Sequence, residues 1–298
     1  MSLIFKRLNS CASRFRPVDA SYGVLRHIHF PGITSFEDGQ KFQQMVVGAN
    51  LDFKQMETKI KRQLKDVPAG FRLNDYEDEL IKRVLSMKPL PTLLTFEFNN
   101  VYTGGKKMKQ DPQLQQKIDQ YRSLGCEYHQ LERGGQVTWH GNGQLTAYVV
   151  LDIKGFTDLT VRCFVDSVLI QSAQNVLKKH YNIDAYNDPE NPGLYVQKDP
   201  YNGKIVSVGT HIQRAVTSYG IGLNVNNDLK YLNQFEMCGL PGVSATSIAK
   251  EIPSAKVTVK DVADQYAQQL ALRLNIGQVD HIDGREIIEQ SKESDSNQ

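Results

Sequence analysis

Cys238 is the residue of this sequence best placed for covalent chemistry, because it lies in the glycine- and proline-containing stretch 237–242. Most unpaired cysteines are small buried hydrophobes, but this stretch lacks the regular apolar neighbours that would explain burial. Loops also carry a disproportionate share of functional residues. A thiol attacks as the thiolate, so it needs a cationic or basic neighbour that lowers its pKa from about 8.5. Cys238 is therefore the candidate nucleophile.

The basic partner of this thiol is left open by residue type and spacing. Lys204, His140 and His211 are the candidates. Lys204 begins the otherwise apolar segment 204–209, where a lysine is usually a solvated charge at the edge of a strand. In a partly desolvated site, however, a lysine has a lowered pKa and can exchange protons near neutrality.

Residues 133–144, RGGQVTWHGNGQ, form a second candidate region. Two glycines beside Arg133 let backbone amides approach a ligand closely, and Gln136, Thr138 and His140 supply directed hydrogen bonds. Glycines at both ends of a short strand are also what a β-hairpin needs. The segment is equally compatible with a binding loop and with an ordinary hairpin.

Alternating apolar residues and turn signals predict the elements that must position these side chains. We expect a first strand that ends at Pro31, and a turn at 141–143 that joins the strands on either side of it as a hairpin. The mixture of helices and strands predicts a single α/β (α+β) domain with a mixed β-sheet flanked by helices. The predicted strands are 24–30, 92–98, 136–140, 145–153, 193–197, 204–209 and 221–225, and the predicted helices are 35–67, 111–124, 157–181, 228–235 and 258–274, the last with a capping box of Thr258 and Asp261.

Composition excludes several classes of protein. The 35 basic and 33 acidic side chains nearly cancel, which argues against a nucleic-acid binder or a polybasic membrane protein. Apolar runs are all shorter than the roughly 18 to 20 residues of a spanning helix, so we expect no membrane span and no secretion. The four cysteines are scattered without a CxxC pair, which predicts no disulfide framework and no zinc. Cys126 and Cys163 are expected to be simple buried thiols of a protein in a reducing compartment.

The two ends of the chain differ from its centre. Lys6, Arg7, Arg14 and Arg16 occur in the first 18 residues without an acidic residue, which is typical of a transit peptide. We predict a mitochondrial transit peptide at 1–20, with a basic disordered arm as the alternative. A disordered tail is predicted at 284–298.

Several motifs together resemble the lipoyl(octanoyl) transferases, which are relatives of the lipoate and biotin ligases. The motifs are RGGQVTWHGNGQL at 133–145, KIVSVG at 204–209, YGIGLNV at 219–225 and CGLPGVSATSI at 238–248, with the weaker LLTFEFNNVYTGGK at 93–106. Their order and spacing make the resemblance more specific than any single motif. It covers roughly residues 24–275, the expected octanoyltransferase catalytic domain.

The resemblance implies roles for these residues. In the family, the motif cysteine takes an acyl group as a thioester, and the motif lysine lowers its pKa and moves protons; these roles would fall to Cys238 and Lys204. It also implies the fold of the biotin/lipoate protein ligase catalytic domain, with no cofactor and no metal. The implied substrate-binding residues are Arg133, Gly134, Gly135, Gln136, Val137, Thr138, Trp139, His140, Ser207, Val208, Gly209, Gly220, Ile221 and Gly222.

The implied function is octanoyl transfer in lipoate biosynthesis in the mitochondrial matrix. Octanoyl acyl carrier protein would be the donor. Lipoyl domains of 2-oxoacid dehydrogenase acyltransferase subunits and the glycine-cleavage H protein would be the acceptors. Two alternatives remain: an ATP-dependent lipoate or biotin protein ligase, and a non-catalytic protein that binds lipoyl domains.

The sequence departs from the family pattern at three places. Tyr219 replaces a histidine, Asn142 replaces a proline, and residues 98–100 replace a His-Pro pair. Cys238 and Lys204 are both retained. The departures put in doubt any proton relay through position 219.

Overall fold

The computed structural model describes residues 11, 15–18, 22–66, 68, 72–198, 202–234 and 243–287, so Cys238 lies outside the described residues. The strands are β1 (Val24–Thr34), β2 (Thr92–Phe98), β3 (Val101–Gly104), β4 (Glu127–Gln130), β5 (Val137–His140), β6 (Gln144–Val150), β7 (Ala185–Asn187), β8 (Gly193–Val196), β9 (Asn202–Gln213), β10 (Val216–Asn224), β11 (Val243–Ala245) and β12 (Gln278–Asp283). The helices are α1 (Phe36–Lys65), α2 (Asp75–Ser86), α3 (Leu114–Ser123), α4 (Val161–Cys163), α5 (Gln171–Tyr181), α6 (Ile248–Glu251) and α7 (Val259–Leu274).

Within these residues, nine strands form one large mixed sheet in the order β12-β1-β2-β6-β10-β9-β8-β7, with β11 also paired to β9. The pairs β12–β1, β1–β2 and β9–β11 are parallel. The other pairs are antiparallel. The chain therefore has the mixed α/β fold, with a mixed sheet and flanking helices, that its sequence predicts.

The predicted hairpin of the strands at 136–140 and 145–153 was wrong. β5 belongs to a separate three-stranded sheet, β4-β3-β5, whereas β6 lies in the large sheet between β2 and β10. The intervening turn carries the chain from one sheet to the other. It is held there because the Gly143 carbonyl oxygen accepts hydrogen bonds from the amides of Val225 and Asn226, at 3.2 and 3.0 Å. A glycine turn specifies a reversal of the chain, but not which strand becomes the hydrogen-bonded neighbour.

The first strand also differs from its prediction. β1 does not end at Pro31 but continues to Thr34, with an irregularity in its pairing to β2 between His29 and Ile33. A bulge of this kind accommodates a proline, which has no N–H to donate, without ending the strand.

Local capping signals predicted helix starts correctly. Ser35 accepts a hydrogen bond from the Asp38 amide at the start of α1, and Thr258 and Asp261 form the predicted capping box of α7. Asn74 and Glu77 form a further box that begins α2, a helix absent from the prediction. No helix in the described part of the chain has both the length and the apolar composition needed to cross a membrane.

Two predicted helices were altered or wrong. The helix expected at 157–181 starts at Val161 and contains a π-helical segment, Phe164–Ile170, between α4 and α5. The helix expected at 228–235 is reduced to the 3₁₀ turn Leu232–Gln234, while Phe235 lies outside the described residues. The hydrophobic periodicity of these short segments does not distinguish an α-helix from tighter or wider turns.

Apolar cores cover both faces of the large sheet. Side chains alternate across β6, so Ala147 packs into the core that includes α5 and α7, while Tyr148 packs on the opposite face. On that second face, Phe36 of α1 packs edge to face against Phe98, with ring centroids 5.2 Å apart. The strands are therefore fixed from both sides, which makes the sheet a rigid support for a site.

The expectation of a simple buried thiol at Cys163 was wrong, because Cys163 forms a disulfide with Cys11. The two cysteines are 152 residues apart, yet their Cα atoms are 5.4 Å apart. Only the folded chain brings them together. Cys126 is an unpaired buried thiol, as predicted, and burial raises its pKa.

Residues 15–18 pack against the domain although they belong to the predicted transit peptide. Phe15 is 1% exposed and lies in the core with Phe156 and Phe164. The Val18 amide donates to the Gly155 carbonyl oxygen at 2.9 Å. Cleavage after residue 20 would therefore remove a core side chain. Of the predicted tail, residues 284–287 are described and form a helical turn.

We expect Phe15→Ala to lower the free energy of unfolding by roughly 3 to 5 kcal/mol, since it removes a fully buried ring. Val18→Ala is the matched control because Val18 is 59% exposed. Urea denaturation of both variants measures the difference. Equal stability of the two would show that the N-terminal segment does not contribute to the folded domain.

Candidate active site

A pocket lies where the small sheet and the loop before β5 face β9 and β10 of the large sheet. It contains about 700 Å³ of space between the protein atoms, part of it open to solvent. The predicted site residues that line it are Arg133, Gly135, Gln136, Val137, Thr138, His140, Lys204, Ser207, Val208, Gly209, Gly220, Ile221 and Gly222. Sequence reasoning missed four further lining residues, Leu131, Tyr148, Tyr219 and Leu232.

Two predicted residues do not line this pocket. Trp139 alternates with Thr138 and His140 along β5, so it points to the other side of the small sheet. There it is 1% exposed and stacks on Tyr231, with ring centroids 5.1 Å apart. Gly134 lines a neighbouring groove, and its amide donates to the Thr210 carbonyl oxygen at 3.1 Å.

Glycine at position 209 allows the loop before β5 to approach β9. A Cβ atom at this position would lie 3.0 Å from Cδ of Arg133. Gly209 is also directly opposite Gly220 in the antiparallel pair of β9 and β10. The two glycines therefore let Arg133 and the backbone of β6 pack closely against this part of the pocket.

Arg133 holds the loop that closes the pocket. Its Nη2 donates to the carbonyl and hydroxyl oxygens of Thr103, at 2.7 and 2.8 Å. Its Nη1 donates to the carbonyl oxygens of Gly134 and Gln136, at 3.0 and 3.1 Å. A buried charge requires such partners. Arg133 therefore fixes the backbone of the loop and adds positive charge beside the pocket.

His140 is held as a neutral ring by a chain of amides. Asn224 Nδ2 donates to the Thr246 carbonyl oxygen at 2.9 Å, which places its Oδ1 toward Gln144. Gln144 Nε2 donates to that Oδ1 at 2.9 Å, so the Oε1 of Gln144 faces His140 Nδ1 at 2.7 Å. Because an amide oxygen only accepts, Nδ1 carries the proton and Nε2 does not.

The charge state of His140 follows from its surroundings. Burial, together with the positive charge of Arg133, lowers the pKa of His140 to about 4. The ring is therefore uncharged near neutral pH and cannot supply the cation that a thiolate needs. His211 is not among the residues that line the pocket. Of the three candidate basic partners, Lys204 and His140 line the pocket, and His140 is held neutral, which leaves Lys204.

Lys204 is only 3% exposed at the beginning of β9. Its Nζ lies 5.0 Å from the centroid of the Tyr195 ring, within the range of a cation–π contact. Its carbonyl oxygen accepts from the Thr246 amide at 3.0 Å. In the parallel pair of β9 and β11, Ala245 is opposite Lys204. The described segment that follows Cys238 in sequence, Val243–Ala245, is therefore aligned with the start of β9 and Lys204.

Tyr219 forms an apolar wall at the position where a histidine was expected. Its backbone has a φ of 62°, a conformation uncommon outside glycine. The Gln43 side chain of α1 accepts from its amide at 2.6 Å, and Gln40 Nε2 donates to its hydroxyl at 3.3 Å. The ring packs edge to face on Tyr148, with centroids 5.6 Å apart. Gln43 is 176 residues away in sequence, so no local signal predicts this contact.

The fold is similar to that of lipoate protein ligase catalytic domains. The structure superposes on the lipoate complex of LipL1 from P. falciparum with a TM-score of 0.56 and 12% identity. The superposition covers 87% of this chain and 66% of that chain. A structure of a bipartite lipoate protein ligase and its E2 lipoyl domain from Thermoplasma acidophilum gives a TM-score of 0.52 at 12% identity, with 88% of this chain and 86% of that chain covered.

Sequence comparison gives the family. Residues 72–271 match the family model of the lipoyl protein ligase A/B catalytic domain, and the chain belongs to that family. It is 39% identical to the mitochondrial octanoyltransferase of Kluyveromyces lactis, over 93% of this chain and 89% of the relative. It is 38% identical to the mitochondrial octanoyltransferase of Saccharomyces cerevisiae, over 87% and 84% of the two chains.

We expect His140 to make stability depend on pH. Its pKa is about 4 in the folded protein, against an ordinary value of 6.5 in an unfolded chain, so the unfolded chain binds a proton first on acidification. The stabilisation that neutral His140 contributes is complete above pH 6.5 and is lost as the pH falls toward 4. Its loss lowers the free energy of unfolding by at most roughly 3 kcal/mol. Urea unfolding of wild type and His140→Gln between about pH 7 and pH 4.5 measures it. Parallel pH profiles of the two proteins would contradict the assignment.

Proposed function

We propose that this octanoyltransferase works through an acyl thioester on Cys238, with Lys204 as the group that lowers the thiol pKa and exchanges protons. The chain is an octanoyltransferase of lipoate biosynthesis, as its identity to two mitochondrial octanoyltransferases over most of its length shows. The observation that carries the catalytic proposal is the burial of Lys204 in the pocket, directly opposite β11.

The described residues on either side of Cys238 support this assignment. Before Cys238, Leu232 lines the pocket. After it, Val243–Ala245 pairs in parallel with β9 at Asn202–Lys204. Asn233 Oδ1 also accepts from the Ala245 amide at 2.8 Å, which joins these two segments. The residues on both sides of 235–242 are thus anchored beside the pocket, which supports Cys238 as the nucleophile.

The first half-reaction transfers the acyl group to the enzyme. The thiolate of Cys238 attacks the carbonyl carbon of octanoyl acyl carrier protein, a bond from carbon to its sulfur forms, and the carrier thiolate leaves with a proton from the Lys204 ammonium. One thioester replaces another, so the step is close to neutral in energy and needs no ATP. Backbone amides near Cys238 or in the glycine-containing segment 133–143 would stabilise the oxyanion.

The second half-reaction forms the product. The ε-amine of the acceptor lysine attacks the thioester carbon, the carbon–sulfur bond to Cys238 breaks, and neutral Lys204 takes a proton from the attacking nitrogen. The amide product is more stable than the thioester. Lys204 returns as the ammonium beside the thiolate, which restores the resting pair.

The acyl chain has an apolar place to bind. Leu131, Tyr148, Tyr219 and Leu232 add apolar surface to the pocket. Each buried methylene contributes roughly 0.8 kcal/mol, so two fewer carbons would weaken binding about tenfold or more. Burial also raises the pKa of Tyr148, which keeps its phenol uncharged beside the chain.

Partners and location follow from the same proposal. The relatives are mitochondrial proteins, and we place this chain in the mitochondrion, more narrowly in its matrix. The solved ligase from Thermoplasma acidophilum was studied with its E2 lipoyl domain. We propose the same kind of acceptor here: lipoyl domains of 2-oxoacid dehydrogenase acyltransferase subunits and the glycine-cleavage H protein.

Intact-mass spectrometry tests the thioester directly. Mixing the protein with octanoyl acyl carrier protein, without ATP, should add one octanoyl group to the Cys238 peptide, and a lipoyl domain should then remove it. Cys238→Ala should fold but form no adduct. Cys126→Ser is the control, because Cys126 is buried in an apolar cluster and does not line the pocket. Lipoyl-domain modification that appears only with free octanoate and ATP would instead indicate a ligase.

Gly193 gives a second test, because it leaves room for the Lys204 side chain. A Cβ atom at Gly193 would lie 2.6 Å from the Val206 carbonyl oxygen, 3.0 Å from Cε and 3.3 Å from Nζ of Lys204, so alanine would shift both the β8–β9 backbone and the lysine. We expect Gly193→Ala to shift the ammonium and to lower kcat by about tenfold to a hundredfold. Gly48→Ala is the control, since no atom lies within 4 Å of its Cβ position. Unchanged kcat in a folded Gly193→Ala protein would argue against a catalytic Lys204.

A further inference from the structure

Three side chains that could bind a metal ion converge on the edge of the large sheet, away from the catalytic pocket. His27 lies on β1, His281 on β12 and Asp264 on α7. One ligand atom from each lies within 4.8 Å of the others. Residues 27 and 281 are directly opposite each other in the parallel pair of β1 and β12. No local motif predicts this cluster, because its members are distant in sequence.

The distances between these atoms fit a tetrahedral ion. The carboxylate oxygen Oδ1 of Asp264 lies 3.7 Å from Nδ1 of His27 and 3.5 Å from Nδ1 of His281. Zinc–ligand bonds of about 2.0 to 2.1 Å in tetrahedral geometry place ligand atoms about 3.3 Å apart. The two imidazole nitrogens are 2.9 Å apart, so the exposed ring of His281 would need to move outward by a few tenths of an ångström.

A neighbouring hydroxyl already orients one of the ligands, His27. Thr95 Oγ1 lies 2.8 Å from Nε2 of His27 and 3.0 Å from Nδ1 of His29. The threonine hydroxyl has one proton, so one of the rings must donate to it. Donation from Nε2 of His27 leaves its Nδ1 with a lone pair directed at His281 and Asp264. Hydrogen bonding of the remote imidazole nitrogen is the usual support for a metal-binding histidine.

Asp264 adds an independent observation. Its Oδ2 forms an ion pair with Lys260 on the same helix, while its Oδ1 is buried without a hydrogen-bond partner among the described residues. A buried carboxylate oxygen without a partner is costly. Coordination of a cation by Oδ1, with both imidazoles, would satisfy it.

We propose that His27, Asp264 and His281 form a zinc-binding site, with a water molecule as the fourth ligand. Imidazole nitrogen and carboxylate oxygen suit Zn²⁺. His281 is 42% exposed, which gives the ion a path from solvent.

The site would stabilise the fold and is separate from acyl transfer. The cluster and the pocket lie on opposite faces of the large sheet. Thr95 is opposite Ala147, which packs in the core beside α7. The next residue, Tyr148, points to the other face and lines the pocket. β12 is an outer strand that pairs with β1. A zinc ion bound by β1, β12 and α7 would clamp this strand to the sheet.

Zinc titration of tag-free, chelator-treated protein tests the proposal. We expect one zinc per chain by inductively coupled plasma mass spectrometry after dialysis, and a higher unfolding temperature with zinc. Asp264→Asn and His281→Gln should each weaken binding at least about tenfold, roughly the minimum effect of losing even an outer-sphere partner. His180→Gln is the matched control, because His180 is exposed on α5.

Three outcomes would overturn the site. They are no binding above the background of the control protein, equal affinity in all variants, or X-ray absorption of the zinc complex showing sulfur ligands at about 2.3 Å instead of imidazole nitrogen. The X-ray absorption measurement uses wild-type protein, so it decides the question even if a variant fails to fold. No zinc binding would leave a hydrogen bond between His27 and His281 as the explanation of their 2.9 Å separation.

Discussion

The amide chain from His140 through Gln144 and Asn224 to the backbone at Thr246 is the interaction on which the pocket depends. It joins β5 of the small sheet to β6 and β10 of the large sheet, and then to the segment after β11. Each member is 7% exposed or less, so breaking one link leaves a buried polar group without its partner. This series of hydrogen bonds therefore fixes the separation of the two pocket walls. The same Asn224 side chain also donates to the Lys204 carbonyl oxygen at 3.4 Å.

The buried basic groups of this pocket, Arg133, His140 and Lys204, have different surroundings. Arg133 has main-chain and hydroxyl acceptors for both Nη atoms, so it stays charged and structural. His140, beside it, is driven to the neutral form by burial and by that charge. Lys204 lies against the aromatic face of Tyr195. A thiol that enters this pocket would meet no histidine cation, and Lys204 is the partner that we propose for it.

The two faces of the large sheet serve different purposes. One face, packed by α5 and α7, contains the main core and the cluster of His27, Asp264 and His281. The opposite face, packed by α1, contributes Tyr148 and Tyr219 to the pocket. Helix α1 also contacts Tyr219 through Gln40 and Gln43, so the helix that covers this face supports the pocket wall. Alternation of side chains along each strand makes this separation possible.

The sequence by itself determined the mixed α/β class and the helix starts at Ser35 and Thr258, whereas most of the pocket-lining residues were implied by the resemblance of its motifs to a family. The class and the helix starts depend on near neighbours, because a cap involves residues three apart and a strand pattern involves every second residue. Tertiary structure decided that β5 and β6 lie in different sheets, that Cys11 meets Cys163, that Trp139 points away from the pocket, and that Tyr219 is held by Gln43. These outcomes depend on which distant segments bury their surfaces together. Such contacts are a property of the whole packed chain. A short sequence pattern is compatible with several neighbouring segments, and only burial in the core fixes which of them it contacts.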